Sequence, residues 1–336
     1  MPRRTLLLPD ALPCRRRRSR GVPRRALLLP DALPCRRRRS RGVPRRALLL
    51  LDTLPCRRRR SRGVPRRTLL LPDALPCRHR PPACRARGGG VTPDPALADL
   101  RRRGFRGLRV VGDVHGEAAS FAHAVEAAAA LDLFLLQLGD LTDHGPDSPG
   151  VLRLMFGLLD AGRGRFLLGN HDHKLRRALL GHKVKVQPEG LGRTLAQLEA
   201  VPDGAALAAR AIAEIAAAPA WLRLDHWLFV HGGWHPAMLR QPAPPGAGAG
   251  KPDPLLSRAL FGQVTGRMLP DGFPERLHGW VNQIPAGFTL YCGHDRRSAD
   301  GRPYEVAGAA GGRAVFLDTG AGKGGHLSWV DLAFPG

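Results

Sequence analysis

The stretch LRVVGDVHGEAASFAHAVEAAAALDLFLLQLGDLTDHG (108–145) decides how this chain is read. An apolar, β-branched run over 108–113 closes on Gly-Asp, an Ala-rich helical segment covers 117–131, and a second apolar run over 133–140 closes on Gly-Asp again. Neither run alternates apolar with polar residues, as a half-exposed strand would. Continuous apolar strands joined by helices predict an α/β sheet covered on both faces. The same grammar continues outward. A helix is expected over 149–161, a third strand at RFLLGNHD (165–172), a helix over 174–180 and helical cover over 191–219. Four more strands are expected at WLFVHGG (227–233), FTLYCGH (288–294), RAVFLDTG (313–320) and HLSWVDL (326–332). QPAPPGAGAGKPDP (241–254) reads as a surface loop.

The informative pattern lies at the ends of the strands. GDVHG (112–116), GDLTDHG (139–145), GNHD (169–172), HGG (231–233) and GH (293–294) each bring Asp, Asn or His beside a glycine. Ligands of α/β sheets sit at the carboxyl ends of strands. Carboxylate, imidazole and amide donors in one place suit two divalent cations sharing a bridging carboxylate. Asp113 and His115, with one residue between them, point the same way from an extended segment and can chelate one ion. Asp140 is the natural bridge, and Asn170, His231 and His294 complete the pair. Water held between two such cations deprotonates near neutral pH and attacks phosphorus in line.

These five motifs, in this order, resemble the signature of the calcineurin-like metallophosphoesterases of the phosphoprotein phosphatase type, over roughly residues 107–332. The segments from GDLTDHG to GNHDHKLRRALLGHKVKVQ are similar to the phosphatase module of bacterial polynucleotide kinase–phosphatases and to bacterial diadenosine tetraphosphate hydrolases. The resemblance implies an α/β sandwich of two mixed sheets flanked by helices. It implies metal-dependent hydrolysis of a phosphate ester, with a nucleotide or another small phosphoester as substrate. A serine/threonine protein phosphatase is the alternative. A non-catalytic nucleic-acid-binding protein on a degenerate phosphatase fold is the reading from another class. By the resemblance, Asp113 and His115 hold one metal, Asp140 bridges, and Asn170 and His231 hold the second; His294 joins either. The ions would be two divalent cations, Mn2+ first, with Fe or Zn open. His171 matches the general acid and Asp143 the carboxylate that orients it. The single histidine of GHDR (293–296) favours the phosphoprotein phosphatase branch.

One position departs from the pattern. The family's GDxxDRG carries Arg after its second Asp, where it clamps phosphate oxygens in a fork; this chain has His144. Imidazole donates a single hydrogen bond, so the clamp weakens unless another cation substitutes. Arg176, Arg296 and Arg297 are candidates by their nearness to the motifs. GAGKGG (320–325) lacks the Ser/Thr and helix of a phosphate loop and reads as a tight turn. His123, His173, His182, His226, His235, His278 and His326 read as surface or supporting groups, and Trp234, Trp280 and Trp329 as core.

Composition divides the chain. It has 336 residues with 53 basic and 28 acidic side chains, but residues 1–90 hold 27 Arg against 4 Asp. The remainder is nearly neutral, which excludes a basic nucleic-acid binder on bulk charge alone. Residues 1–90 repeat PRRTLLLPDALPCRRRRSRGV with a period of 21, and read as a disordered arm or as an amplified repeat ahead of the true start. Such an arm could bind nucleic acid non-specifically. Residues 91–106 read as a linker and 107–336 as the phosphoesterase domain. Cys14, Cys35, Cys56 and Cys77 are one repeated position, Cys84 comes next, and Cys292 stands alone in the domain. That usage, with no apolar run long enough to span a membrane, points to the cytoplasm.

Overall fold

The computed structural model describes residues 94–335, apart from 271 and 299. The Arg-rich repeats with their cysteines, and residues 91–93, lie outside the described residues. One sheet holds β1 (Gly107–Val111), β2 (Leu133–Gln137) and β3 (Gly164–Phe166) in parallel, with β11 (Trp329–Ala333) antiparallel along β1. The second sheet runs in the order β4 (Trp221–Leu224), β5 (Trp227–Val230), β8 (Thr289–Cys292), β10 (Arg313–Phe316) and β9 (Tyr304–Ala307). Its central three strands are parallel and its two edges antiparallel. Both sheets are therefore mixed, as expected.

Period-two alternation decides which residues face where. Leu108 and Val110 of β1, Leu136 of β2, Trp227 and Phe229 of β5, Tyr291 of β8 and Val315 of β10 form one buried cluster between the sheets. Their neighbours Val111, Leu135, Leu228, Val230, Cys292 and Phe316 join a second cluster on the outer faces. There α2 (Ala118–Ala130), α3 (Ser148–Asp160) and α6 (Gly204–Ala217) contribute Phe121, Leu152, Met155 and Ile215. Each such side chain contributes about 1.5–3 kcal/mol on burial. The polar exception in β1 is Arg109, whose guanidinium forks onto Asp331 of β11 at 2.7–2.8 Å. Cys292 is buried and free.

Three expectations need correction. Residues read as a linker include α1 (Pro95–Arg102), whose Leu97 and Leu100 pack into the inter-sheet cluster; the N-cap is Asp94, whose side chain accepts from Ala96 and Leu97. The third strand stops at Phe166 rather than running to 172. Helix α4 (Asn170–Leu179) begins at Asn170 because Asp172 reaches back to the Gly169 amide. Four strands went unread: β4, β9, and the hairpin β6 (Gln263–Met268) with β7 (Pro274–Leu277), whose residues are mostly exposed. Helices α5 (Arg193–Ala200) and α6 fill the expected helical cover, α7 (Pro254–Phe261) comes after the 241–254 loop, and 320–325 is a turn. Trp234 and Trp280 are core, whereas Trp329 is half-buried.

Candidate metal centre and active site

The parallel strands of both sheets deliver their polar ends to one place. Past β1 the chain turns sharply, and Asp113 and His115 face a common point with His115 Nε2 3.8 Å from Asp113 Oδ2. The segment is not extended there: His115 adopts a left-handed φ of 45°. Past β2, Asp140 (φ 61°) presents Oδ2 to His115 Nε2 at 3.8 Å and to His231 Nε2 at 3.3 Å. Asn170 enters from the start of α4, its Oδ1 3.0 Å from His231 Nε2. His294, past β8, lies with its ring 5.0 Å from that of His231. Among the described residues, five of the seven non-glycine residues with positive φ are His115, Asp140, Asp143, His144 and His294. Asp and His tolerate this region better than most residues, and such backbones cluster where function over-determines them.

Among the described residues three sets of donor atoms each lie within 4.8 Å of one another: His115, His144 and His171, all imidazole, and two donor sets that include carboxylates, Asp113, His115 and Asp140, and Asp140, His231 and His294. Asp140 belongs to both of the latter. Tautomers are set from behind. His115 Nδ1 donates to the Thr142 carbonyl at 2.9 Å and His231 Nδ1 to that of Leu138 at 3.0 Å, so both Nε2 atoms face the cluster.

Electrostatics say what the cluster lacks. Burial, then the carboxylate of Asp318, pushes Asp113 well above the usual range. Burial acts on Asp140 in the same sense, but the imidazoles of His231 and His171 hold it well below. His231 would be depressed by burial, yet Asp140 and Asp113 raise it to about 9. Burial, then Lys323, drives His115 well down. The buried Asp140 carboxylate thus has the proton held by His231 as its counter-charge. Carboxylate and imidazole donors converging in one buried place fit divalent cations, which would take the place of that proton.

His171, in the first turn of α4, has Nδ1 2.6 Å from Asp143 Oδ2 and Nε2 4.0 Å from Asp140 Oδ2. Asp143 is itself held: Thr194 Oγ1 donates to its Oδ1 and accepts from its amide, both at 2.9 Å. Asp172 accepts from the amides of Asp140, Leu141 and Gly169 at 2.8–3.0 Å, fixing the second turn against the third. Burial and the nearby Asp140 push its carboxyl up to about 6. Gln137 ties the first and second turns, its Nε2 donating to the carbonyls of Gly112 and Gly139. Glycines admit these approaches: a Cβ at Gly293 would overlap Asp113 Oδ1.

The expected phosphate-binding residues divide. His144 lies in the cluster, its ring 5.0 Å from His115 and 5.4 Å from His171, and burial with Lys323 lowers it to about 4, so it is neutral. Arg176 is elsewhere: its guanidinium is spent on the carbonyls of Ile212, Gly248 and Ala249. Arg297 stacks on Tyr304 and Phe316. Arg296 lines a cavity with His294 and Asp318. Two cations were missed. Arg276, on β7, lines the same cavity, and Lys323 in the 320–325 turn puts Nζ 2.9 Å from His115 Nε2. The signal for Lys323 was present: RAVFLDTG is a sixth strand with a polar end, Asp318, leading directly into that turn.

The family profile for calcineurin-like phosphoesterases matches residues 108–264. Bis(5'-nucleosyl)-tetraphosphatase PrpE of Geobacillus thermodenitrificans is 28% identical over 236 residues, covering 66% of this chain and 88% of that protein. Its namesake in Halalkalibacterium halodurans is 30% identical over 204 residues, covering 59% and 74%. Among solved structures, the cold-active protein-tyrosine phosphatase of a Shewanella species overlays with a TM-score of 0.43 at 16% identity, covering 69% of this chain and 76% of that one. With the ordered motifs and the convergent donor cluster, the sequence matches show that the chain belongs to the calcineurin-like phosphoesterase family, hydrolases of phosphoric ester bonds.

Proposed function

We propose that this phosphoesterase hydrolyses a nucleotide or other small phosphoester, with dinucleoside polyphosphates as the first substrates to test. The PrpE relatives are named for such substrates, which supports that ranking. The carrying observation is Asp140, which belongs to both donor sets while its Oδ2 is 4.0 Å from His171 Nε2. In this reading Asp113, His115 and Asp140 hold one cation, and Asp140, Asn170, His231 and His294 the other. When bound, the pair supplies a water deprotonated near neutral pH and a positive field at the phosphoryl oxygens. Mn2+ is the first metal to try; Fe and Zn satisfy the same donors.

The chain's own residues do the rest. Asp143 holds His171 by Nδ1, which turns Nε2 into the groove, where it can give its proton to the leaving oxygen. Thr194 fixes Asp143 and thereby His171. Neutral His144 contributes one hydrogen bond to a phosphoryl oxygen rather than a fork. The domain carrying this activity is residues 107–336 together with α1. A cytoplasmic location agrees with the free, buried thiol of Cys292; among the described residues no helix is long and apolar enough to cross a membrane. Non-specific nucleic-acid binding by residues 1–90 is a separate proposal that rests on charge alone.

The test is turnover of diadenosine tetraphosphate, p-nitrophenyl phosphate and a phosphoserine peptide with Mn2+, for wild type, Asp140→Asn and His171→Ala. Nucleotide turnover that both substitutions abolish or cripple supports the proposal. Preference for the peptide would move the assignment to a protein phosphatase. No turnover of any of the three, in protein that binds Mn2+, would overturn it.

A further inference from the structure

A groove runs beside the metal cluster. One cavity, of about 370 Å³, touches Asp140, Asn170 and His171. A second, of about 660 Å³, touches Asp318 and Arg296. Phe273, Pro274, Arg276, His294 and Lys323 line both, so the two are continuous. Cavities of that size take ligands much larger than a single phosphate.

Its charges say which ligand. Among the described residues, Lys323 and Arg296 make no ion pair: Lys323 Nζ bonds only to the His115 imidazole, and Arg296 Nε reaches only the Ser298 carbonyl, at 3.4 Å. The carboxylates of the same wall are already engaged. Glu275 takes Arg267 and Thr265, Asp295 takes His278, and Asp318 Oδ1 accepts from the Gly320 amide at 2.9 Å. The two cations are also neighbours. The Arg296 guanidinium lies against Gly320, at the base of the turn that carries Lys323, so closely that a Cβ there would stand 2.8 Å from its Cζ. Only glycine allows that approach, and Gly320 takes the φ of +87° that glycine favours.

We propose that this groove is a subsite for the polyphosphate of the leaving group, with Lys323 holding the phosphoryl group beside the metals and Arg296 a phosphate farther along. The inference rests on the reading of the chain as a nucleotide hydrolase. In the step it serves, the water oxygen bonds to phosphorus and the bridging P–O bond breaks. The departing oxygen keeps the electron pair and takes the His171 Nε2 proton. Lys323 thereby supplies the charge that His144 does not, and two successive anionic phosphates find separate cations. Exposed Leu269 and Phe273 beside β7 form the lip over whatever the polyphosphate carries.

Arg296→Met and Lys323→Met test this, since both side chains are exposed and neither supports the core. Two readouts are needed. One is the ratio of kcat/KM for diadenosine tetraphosphate over p-nitrophenyl phosphate with Mn2+; the other is calorimetric binding of inorganic tripolyphosphate to the metal-free protein. Arg296→Met should lower the ratio on the order of tenfold and weaken tripolyphosphate by a similar factor, as expected for one lost charge-assisted contact. Lys323→Met should weaken tripolyphosphate at least as much. An unchanged ratio with unchanged tripolyphosphate affinity overturns the subsite while leaving the hydrolase intact. If the wild type turns over neither ester, the functional reading fails instead; tripolyphosphate then still decides, because affinity that both substitutions lower supports the subsite and no affinity refutes it.

Discussion

Thr194→Val keeps the side chain's shape and removes one hydroxyl that serves three partners. That oxygen accepts from the Asp143 amide, donates to Asp143 Oδ1 and lies 3.1 Å from Ser148 Oγ. Thr194 is 0% and Asp143 1% exposed, so water does not replace what is lost. An unpaired buried amide costs about 1–3 kcal/mol, and the carboxylate forfeits a charge-assisted bond of about 1.5–3 kcal/mol. The added methyl offsets about 0.8 kcal/mol. The net loss is then about 2–5 kcal/mol, which lowers Tm on the order of 10 °C for a domain of this length. Catalysis should respond more selectively. Asp143 Oδ2 holds His171 Nδ1 at 2.6 Å, and a freed carboxylate no longer aims Nε2. Protonation of the leaving group supplies about 10²–10⁴-fold, of which loose alignment forfeits about 10–100-fold. The assay compares kcat on glycerol phosphate, whose alkoxide needs that proton, with p-nitrophenyl phosphate, whose phenolate leaves without it. Thr194→Val should cut the first by about 10–100-fold and the second by less than about threefold, with KM little changed and Thr194→Ser close to wild type. Equal losses on both esters would make Thr194 a purely structural residue and refute the argument.

Other outcomes rest on the same geometry. Asp140→Asn removes the carboxylate common to both donor sets, so metal content by elemental analysis should fall for both ions and activity to about a hundredth or less; retention of both ions would show that Asp140 is not the bridge. Gly293→Ala drives a Cβ into Asp113 Oδ1, and should weaken metal uptake more than it lowers Tm, measured by titration with Mn2+ and by calorimetry. His144→Arg should change little in wild type but recover rate in a Lys323→Met background, because the two cations would serve the same phosphoryl oxygens; a gain confined to wild type would argue against that equivalence. In chelated protein His231 is raised to about 9, so the stability it lends is complete below about pH 6.5 and lost as pH climbs through 9. Because burial holds His115 and His294 well down, they add no opposing slope there. Scanning calorimetry in EDTA should therefore show Tm falling from pH 7.5 to 9, whereas with Mn2+ in place of the proton it should not fall.

Much of this was legible because two signals coincide in the sequence. Apolar runs such as LRVV and LFLLQ specify strands buried on both faces, and the Gly-Asp or Gly-His endings specify where they stop. Asp113, His115, Asp140, Asn170, His231 and His294 could be named from that alone, and the structure brings all six together. What the sequence hides is everything carried by position rather than type. Thr194 stands 51 residues from Asp143, in a helix that looks like ordinary cover. Asp172 looks like a conservative end to GNHD, yet its carboxylate gathers three amides from two turns. Arg176 shows the converse error: close to a motif in sequence, it reaches from α4 to the 248–249 loop. Hairpin β6–β7 has too little apolar alternation to be read as strands, because β6 is almost wholly exposed and β7 only half-buried.

The strained turns and the buried charges are best understood as one arrangement. Left-handed backbone at five non-glycine residues costs about 1–3 kcal/mol apiece, and burying carboxylates costs more. Neither could persist unless something over-determined it. Hydrogen bonds from Gln137 and Asp172 lock the turns to one another, while the strands beneath are fixed by an apolar core with no freedom to relax. The rigid sandwich can therefore hold donors in a geometry they would not choose. His144, which departs from the family pattern, and Lys323, the proposed replacement for its charge, sit on two different turns beside the cluster. The proposed charge is thus carried by the 320–325 turn, which supplies none of the six candidate metal ligands.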